Sequence, residues 1–396
     1  MSAIPTEVLR LLDTLKVERI ATIAGGMSGA AAFRCDSANG FPAFALKCWP
    51  AQTSLDRVRQ IHEHVTSLAN ELAFIPSYQT QRDGKTWFVD SAGRAWEVSK
   101  WMPGQPLSAN ASREQITIGA IALSAVHRQM SRLECANRPS SAIQDRLSRF
   151  QSISAPLSKC LDSNLSGPVP NRTGTDPEQV LQAIRSACQL LRRCWQNRSR
   201  LLSSQLAQFQ TCYVPQHWIL RDVHREHVLF EQGRVSGIID FDAMRFDTPL
   251  VDFARWLGGF DSFWEAPESV TSEIMAEASA SQPFLQSPIS SPLLDHTGEP
   301  IRTTTDTEFG IVDSQSAAIP GVRAPEPNVG SPAGLQALQT ADSIKLVVMI
   351  ARATLWLSLG NWVVWLLDES RQFPDLGRVA ERIGRLTDYA SCDAEH

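Results

Sequence analysis

Between Trp218 and Asp242 the chain reads W-I-L-R-D-V-H-R-E-H-V-L-F-E-Q-G-R-V-S-G-I-I-D-F-D, which sets carboxylates and an imidazole at spacings that could do chemistry. An apolar run leads up to Asp222, and His227 follows five residues later. The chain turns at Gln232-Gly233, and a second apolar run, Val235 to Ile239, ends in Asp240. Read as strand, loop, hairpin and strand, this delivers Asp222, His227 and Asp240 to the same end of a small sheet. Phosphoryl transfer requires such a set: one carboxylate to orient the nucleophile, and ligands for magnesium.

The elements that must position the rest of such a site come earlier in the chain. Pro5 to Lys16 carries Val8, Leu11, Leu12 and Leu15 at helical spacing. Arg19 to Ile23, then Gly25-Gly26-Met27-Ser28-Gly29, then Ala30 to Arg34 and Phe41 to Trp49 read as strand, glycine-rich turn, strand, turn and strand. A glycine turn lets backbone N–H groups approach phosphates closely, so Gly25, Gly26, Ser28 and Gly29 are candidates for that role, although a plain hairpin has the same pattern. Lys47 stands near the end of the third strand. Ser54 to Leu72 is a helical pattern with a cap at Thr53 or Ser54, and Glu63 on it either pairs with Lys47 or faces solvent. Strands at Thr86–Val89 and Arg94–Trp101 follow, and Met102-Pro103-Gly104 breaks the sheet as a linker. Arg113 to Arg132 is helical, with His127 expected to pack among Leu123 and Val126. Glu178 to Phe209 is a long helix with a basic, solvated face.

Whole-chain properties narrow the class. At 396 residues, 43% hydrophobic and 20% charged, the protein has the make-up of a soluble globular chain of two or three domains. A net charge of −5 offers no general footprint for nucleic acid or for an anionic membrane. Eight cysteines without a C-x-x-C pair read as thiols in a reducing, cytoplasmic setting, and the first residues lack the basic-then-apolar pattern of a secretion signal. Leu346 to Leu367 is long and apolar, but Arg352 and Gly360-Asn361 favour a buried helix, or two broken at Gly360, over a membrane span. Residues 266–340 are rich in Ser, Thr and Pro and are expected to be a disordered insertion. Ser343 to Ser370 brings apolar helices with Trp356, Trp362 and Trp365.

The order of glycine turn, Lys47, Glu63 helix, Pro-Gly linker, Asp222, His227 and Asp240 resembles the aminoglycoside phosphotransferase and choline kinase-like family. That family's loop reads H-G-D-x-H-x-x-N followed by I-D-[FW]; the corresponding runs here are L-R-D-V-H-R-E-H and I-I-D-F-D. Downstream, D-T-P-L-V-D-F-A from Asp247 to Ala254 is similar to the family's D-P-x-x-D-x-A, whose second aspartate, here Asp252, braces the loop. The resemblance covers roughly residues 17 to 260, with weaker similarity near 341 to 390. It implies an α+β, two-lobed, protein-kinase-like fold: a small β-rich N-terminal lobe over residues 1–102, and a larger helical lobe over 103–265. The insertion 266–340 would separate these from closing helices over 341–396.

By the same resemblance, the chain would be an ATP-dependent phosphotransferase acting on a hydroxyl of a small molecule. Asp222 would be catalytic, matching the family's aspartate, and His224 its loop histidine. Asp240 would hold the metal, with Lys47 and Glu63 on the phosphates beneath Gly25–Gly29. Two positions depart from the pattern. Leu220-Arg221 stands in place of His-Gly, and His227 replaces an asparagine that binds the second metal. Magnesium prefers oxygen ligands and imidazole suits softer ions, so Asp240 alone, Asp240 with His227 and manganese, or a loop-packing His227 all remain open. The alternative function is a nucleotide-binding pseudokinase or scaffold with little transfer. A protein kinase fits less well, because no Ala-Pro-Glu run follows Asp240 and too few residues separate it from Asp252.

Overall fold

The computed structural model describes residues 4–23, 30–38, 42–162, 177–280, 341–367 and 375–395. The glycine turn with Gly25, Gly26, Ser28 and Gly29 lies outside the described residues, as does most of the expected insertion. The first part holds helix α1 (Thr6–Thr14) and strands β1 (Val17–Ile23), β2 (Ala31–Ser37) and β3 (Phe44–Cys48). Helix α2 (Leu55–Glu71) and strands β4 (Trp87–Val89) and β5 (Ala95–Lys100) follow. The five strands form one antiparallel sheet in the order β1-β2-β3-β5-β4.

Strand alternation decides what this sheet offers. In β3, Phe44, Leu46 and Cys48 point inward and pack with Trp96, Val98 and the Val8 and Leu12 stripe of α1. Lys47 therefore projects from the opposite face, and the register sets it directly across from Glu97 of β5. Ser54 caps α2, its hydroxyl accepting from the Arg57 N–H at 3.2 Å. The buried face of α2 is Val58, Ile61, His62, Val65 and Leu68, a regular helical stripe.

Most of the remaining chain is helical. Strand β6 (Gln105–Pro106) leads to α3 (Arg113–Leu133), β7 (Ala136–Pro139), α4 (Ser141–Asp162) and α5 (Pro177–Ala207). Then come β8 (Tyr213–Ile219), a single 3₁₀ turn at Arg225–His227, β9 (Val228–Glu231), β10 (Arg234–Ile238) and β11 (Arg245–Asp247). Helices α6 (Leu250–Leu257), α7 (Asp261–Glu265), α8 (Pro267–Ala280), α9 (Ala341–Leu367) and α10 (Leu376–Glu395) complete the described chain. Two three-stranded sheets, β10-β9-β6 and β11-β8-β7, carry the stretch that holds Asp222 and Asp240. The α+β class expected from the sequence is the one observed. Helix α2 belongs to the earlier part of the chain, yet its apolar stripe joins the same continuous core as Ile116 and Leu123 of α3.

In the second half one expectation needs correction and one open alternative is decided. The stretch from Pro267 to Ala280 is not loose: it is α8, burying Val270, Ile274, Met275 and Ala278 and packing against α3. Its Ser, Thr and Glu residues masked an apolar repeat. The apolar stretch near the C-terminus is one unbroken helix, α9, and Gly360 does not interrupt it. A side chain there would meet Ile153, Leu157 and Trp195 at 3.3–3.5 Å, so Gly360 serves close packing of α9 against α4 and α5. Helix α9 is long and apolar enough to cross a membrane, but it is largely buried within the protein. Its Arg352 pairs with buried Asp393 of α10 at 2.8 Å, so the charge is neutralised inside the fold.

The Pro-Gly linker is pinned rather than slack. Gly104 has φ +101, and Ser236 donates to the Pro103 carbonyl at 2.7 Å. A Cβ at Gly104 would lie 2.6 Å from the Phe230 carbonyl oxygen. Gly104→Ala is therefore expected to destabilise the protein by about 1–3 kcal/mol, from left-handed strain plus the clash, as read by urea denaturation.

Candidate active site

Strand β8 buries Gln216, His217, Trp218 and Ile219, then ends where the backbone turns sharply: Arg221 has φ +67. That left-handed geometry favours glycine, and an arginine adopts it only where neighbours hold it there. Asp252, at the start of α6 and fully buried, supplies the hold. Its carboxylate accepts the backbone N–H of Leu220 at 2.8 Å and of Arg221 at 2.6 Å. Burial nevertheless pushes the Asp252 carboxyl up to about 7, against the pull of those two N–H donors. Beneath it, His127 lies 3.5 Å away and is bonded to His217 at 3.1 Å. Burial drives both imidazoles down, His217 to about 4, so they pack as neutral rings.

The hairpin after the loop is local chemistry. Gln232 (φ +50) and Gly233 (φ +76) form the tight turn between β9 and β10. The returning strand bonds Ile239 N–H to the His227 carbonyl at 2.9 Å, which sets Asp240 beside the loop. Asp240 itself sits at φ +65. The His227 Nδ1 is bonded to the Asp222 carbonyl oxygen at 2.8 Å, so in the neutral ring Nδ1 carries the proton and Nε2 keeps its lone pair. That Nε2 lies 3.6 Å from an Asp240 oxygen. The imidazole thus holds the Asp222 backbone through Nδ1 and sets the Nε2 lone pair facing the Asp240 carboxylate.

Lys47 joins these residues from the opposite sheet. Its ammonium donates to Asp240 at 3.1 Å and to Asp242 at 2.5 Å. Burial opposes the charge on Lys47, but Asp242, Asp240 and Glu97 outweigh it and raise the ammonium above its ordinary range. Asp240 is raised by burial and lowered more by Lys47 and His227. Asp242 is pushed up to about 6 by burial, which Lys47 only partly offsets. Asp242 is therefore a partly buried carboxylate bound to Lys47, not a free surface one.

Glu63 is not brought to Lys47. It lies one position past the buried stripe of α2, about 100° round the helix from His62, so it faces solvent beside Arg59 at 3.9 Å. Glu97 takes the place beside the lysine. It is buried and accepts from the Trp49 indole at 2.6 Å, with a His62 ring nitrogen at 2.8 Å. Its signal in the sequence was a glutamate in the middle of an apolar strand, meaningful only once the β3–β5 register was known.

Asp222 has a partner that the sequence reading missed. Arg255, one turn after Asp252 on α6, donates to Asp222 Oδ1. His224 Nε2 stands 3.7 Å from the same oxygen, and neither His224 ring nitrogen makes a hydrogen bond. Burial raises the Asp222 carboxyl, but Arg255 and then His224 outweigh it and hold it well below the usual carboxylate range. Burial also drives His224 well below the ordinary imidazole value.

A divalent cation suits this donor set. Asp240 and His227 converge, and three carboxylates, at 97, 240 and 242, surround the single ammonium of Lys47. The excess negative charge calls for a cation. No cluster of three or more His, Cys, Asp or Glu side chains of metal-holding geometry occurs among the described residues. Magnesium that keeps waters and phosphate oxygens is held through one or two carboxylates, which Asp240 satisfies, whereas the His227 imidazole suits a softer ion.

Comparison with known proteins now adds to this geometry. The model of the phosphotransferase enzyme family matches residues 19–279. No curated protein matches the chain. A spectinomycin phosphotransferase solved with ADP and spectinomycin superposes with TM-score 0.56 at 11% identity, covering 100% of each chain. Its AMP-bound form gives 0.54 at 10% identity, over 98% of this chain and 99% of that one. An aminoglycoside phosphotransferase from Alicyclobacillus acidocaldarius gives 0.48 at 12% identity, over 100% and 95%. At such identities the likeness establishes the fold, which is protein-kinase-like.

The buried Asp252 makes stability depend on pH. A folded carboxyl at about 7 against an ordinary 3.8 means that folding takes up a proton between those values. Its contribution therefore falls as pH rises through that window, by up to about 1.4 kcal/mol per pH unit. Relative to Asp252→Asn, wild-type stability in urea titrations is expected to decline from pH 4 to pH 7. A difference that stays flat with pH would refute this.

Proposed function

The chain belongs to the phosphotransferase enzyme family, and we propose that it transfers the γ-phosphoryl group of ATP to a hydroxyl of a small molecule. The observation that carries this reading is the convergence of Asp222, His227, Asp240 and Lys47. They are carried by three sheets, and Lys47 stands 193 residues from Asp240 in sequence. A scaffold has no need for an ammonium held between carboxylates beside a second, arginine-bound carboxylate.

Arg255 and His224 both approach Oδ1 of Asp222, which leaves Oδ2 to accept a hydrogen bond from the substrate hydroxyl. As the alcohol oxygen bonds to the γ-phosphorus, the bond to the β-phosphate oxygen breaks and ADP leaves. The hydroxyl proton passes to Asp222 and on to solvent. A carboxylate held below its usual range is a weak base, but phosphoryl transfer goes through a loose transition state in which positioning dominates. Lys47 would contact the α- and β-phosphates, with Glu97 its neighbour across the strand pair. Asp240 and His227 would hold magnesium, or manganese given the imidazole, to neutralise charge on the phosphates. The Gly25–Gly29 turn would cover them. Eight free thiols and a need for ATP fit a cytoplasmic setting.

Asp222→Asn is expected to lower kcat by roughly 10²–10⁴ while ATP binding, read by thermal shift with magnesium or manganese, is retained. Undiminished turnover would remove Asp222 from the mechanism. Arg255→Gln should release the Asp222 carboxyl toward its ordinary range and move the acid limb of the pH–kcat profile to higher pH. An unmoved limb would show that Arg255 does not govern Asp222.

A further inference from the structure

The acceptor side of the site has a charge of its own. A cleft of about 490 Å³ opens at Asp222, and neither Lys47 nor Asp240 lines it. Four arginines, Arg146, Arg149, Arg221 and Arg255, face it, against only Asp145 and Asp222. Both carboxylates are already engaged. Arg255 binds Asp222, and Asp145 is shared between Arg221 at 3.3 Å and Arg245 at 2.9 Å. Arg146 and Arg149 have neutral partners instead. Arg146 donates to the Thr354 hydroxyl at 2.8 Å and to the Ala142 carbonyl at 3.0 Å, and Arg149 donates to the Asn361 side-chain oxygen. An adjoining cavity shares Arg255 and Thr354 and adds Arg225, Arg382 and Arg385 against one carboxylate, Glu226.

Such a concentration of cations is unexpected in a chain of net charge −5. Holding guanidinium groups together costs energy. Burial, and then the neighbouring Arg255, push Arg146 down to about 10. Arg146 and Arg149 are three residues apart on α4 and so share one face, where two planar forks can grip one anion. Trp365 and Leu357 of α9 supply an apolar wall to the same cleft.

We propose, resting on the phosphotransferase reading above, that the acceptor is an anionic alcohol: its hydroxyl lies at Asp222 and its carboxylate or phosphate group is held by Arg146 and Arg149. A polycationic acceptor would meet like charge in this cleft. The position of the arginines makes them specificity residues for the acceptor and not for ATP, whose phosphates belong with Lys47 on the far side of Asp222.

The test uses the full-length protein and ATP, with ADP release measured on separate arms of hydroxycarboxylic acids, sugar phosphates, neutral sugars and cationic amino alcohols. Turnover is expected only in the first two arms, and whichever responds identifies the anionic group. Arg149→Gln, at an exposed position that tolerates change, should raise the acceptor KM tenfold or more with the ATP KM unchanged, and Arg149→Lys should recover part of the loss. Turnover of neutral or cationic alcohols at equal kcat/KM, or an unaltered acceptor KM in Arg149→Gln, overturns the proposal. Anion binding is read independently as the rise in Tm with citrate or inorganic phosphate, which Arg149→Gln should lose. That rise without turnover of any alcohol would sink the phosphotransferase reading and leave the anion site standing. Turnover of neutral alcohols with no such rise would do the reverse.

Discussion

The bond pair from the Leu220 and Arg221 backbone to the Asp252 carboxylate is the constraint on which the site depends. Without it an arginine at φ +67 has no reason to stay there, and the next residue, Asp222, would not be aimed. The same short helix that supplies Asp252 supplies Arg255, so the brace of the loop and the partner of its carboxylate move as one body. Five residues earlier, buried Asp247 accepts from Ser140, Ser141 and the Ala142 N–H, anchoring α4 at its start. One segment from Asp247 to Arg255 therefore orients both the loop and the helix that carries Arg146 and Arg149.

The second organising interaction joins the two parts of the fold. Lys47 reaches from β3 to Asp240 and Asp242, and Arg57 of α2 donates to the Asp242 and Met244 carbonyls. Burial, with Asp240 adding to it, holds Asp242 at about 6, while the surrounding carboxylates hold Lys47 above its ordinary range. Around Lys47 three carboxylates face one ammonium. On the other side of Asp222 the balance is inverted, with arginines in excess over carboxylates. The two sides of Asp222 therefore differ in the sign of their excess charge.

Much of this was legible before the fold. The apolar run to Asp222, the Gln-Gly turn and the run to Asp240 follow from strand alternation and turn geometry, which act over a few residues. The α1 stripe and the α2 cap follow from the same short-range rules, whereas the α+β class was what the family resemblance implied. The Asp247–Asp252 run was visible too, although only its hydrogen bonds explain why an arginine could replace glycine before Asp222. Helix α8 was hidden because its apolar positions are spaced among Ser, Thr and Glu, so composition spoke louder than periodicity.

What the chain determined alone is therefore what neighbours in sequence can settle: the strands, the caps, the hairpin and the two aspartates at its ends. The tertiary structure decided which partners those residues meet. Lys47 found Glu97 and not Glu63, because a strand register and the phase of α2 choose between them. Arg255 found Asp222, and α9 ran unbroken through Gly360 because α4 and α5 press against it there. Each of these pairings joins elements far apart in the chain or turns on helical phase. Charge and apolar character show that a residue needs a partner, but only packing in three dimensions selects which one.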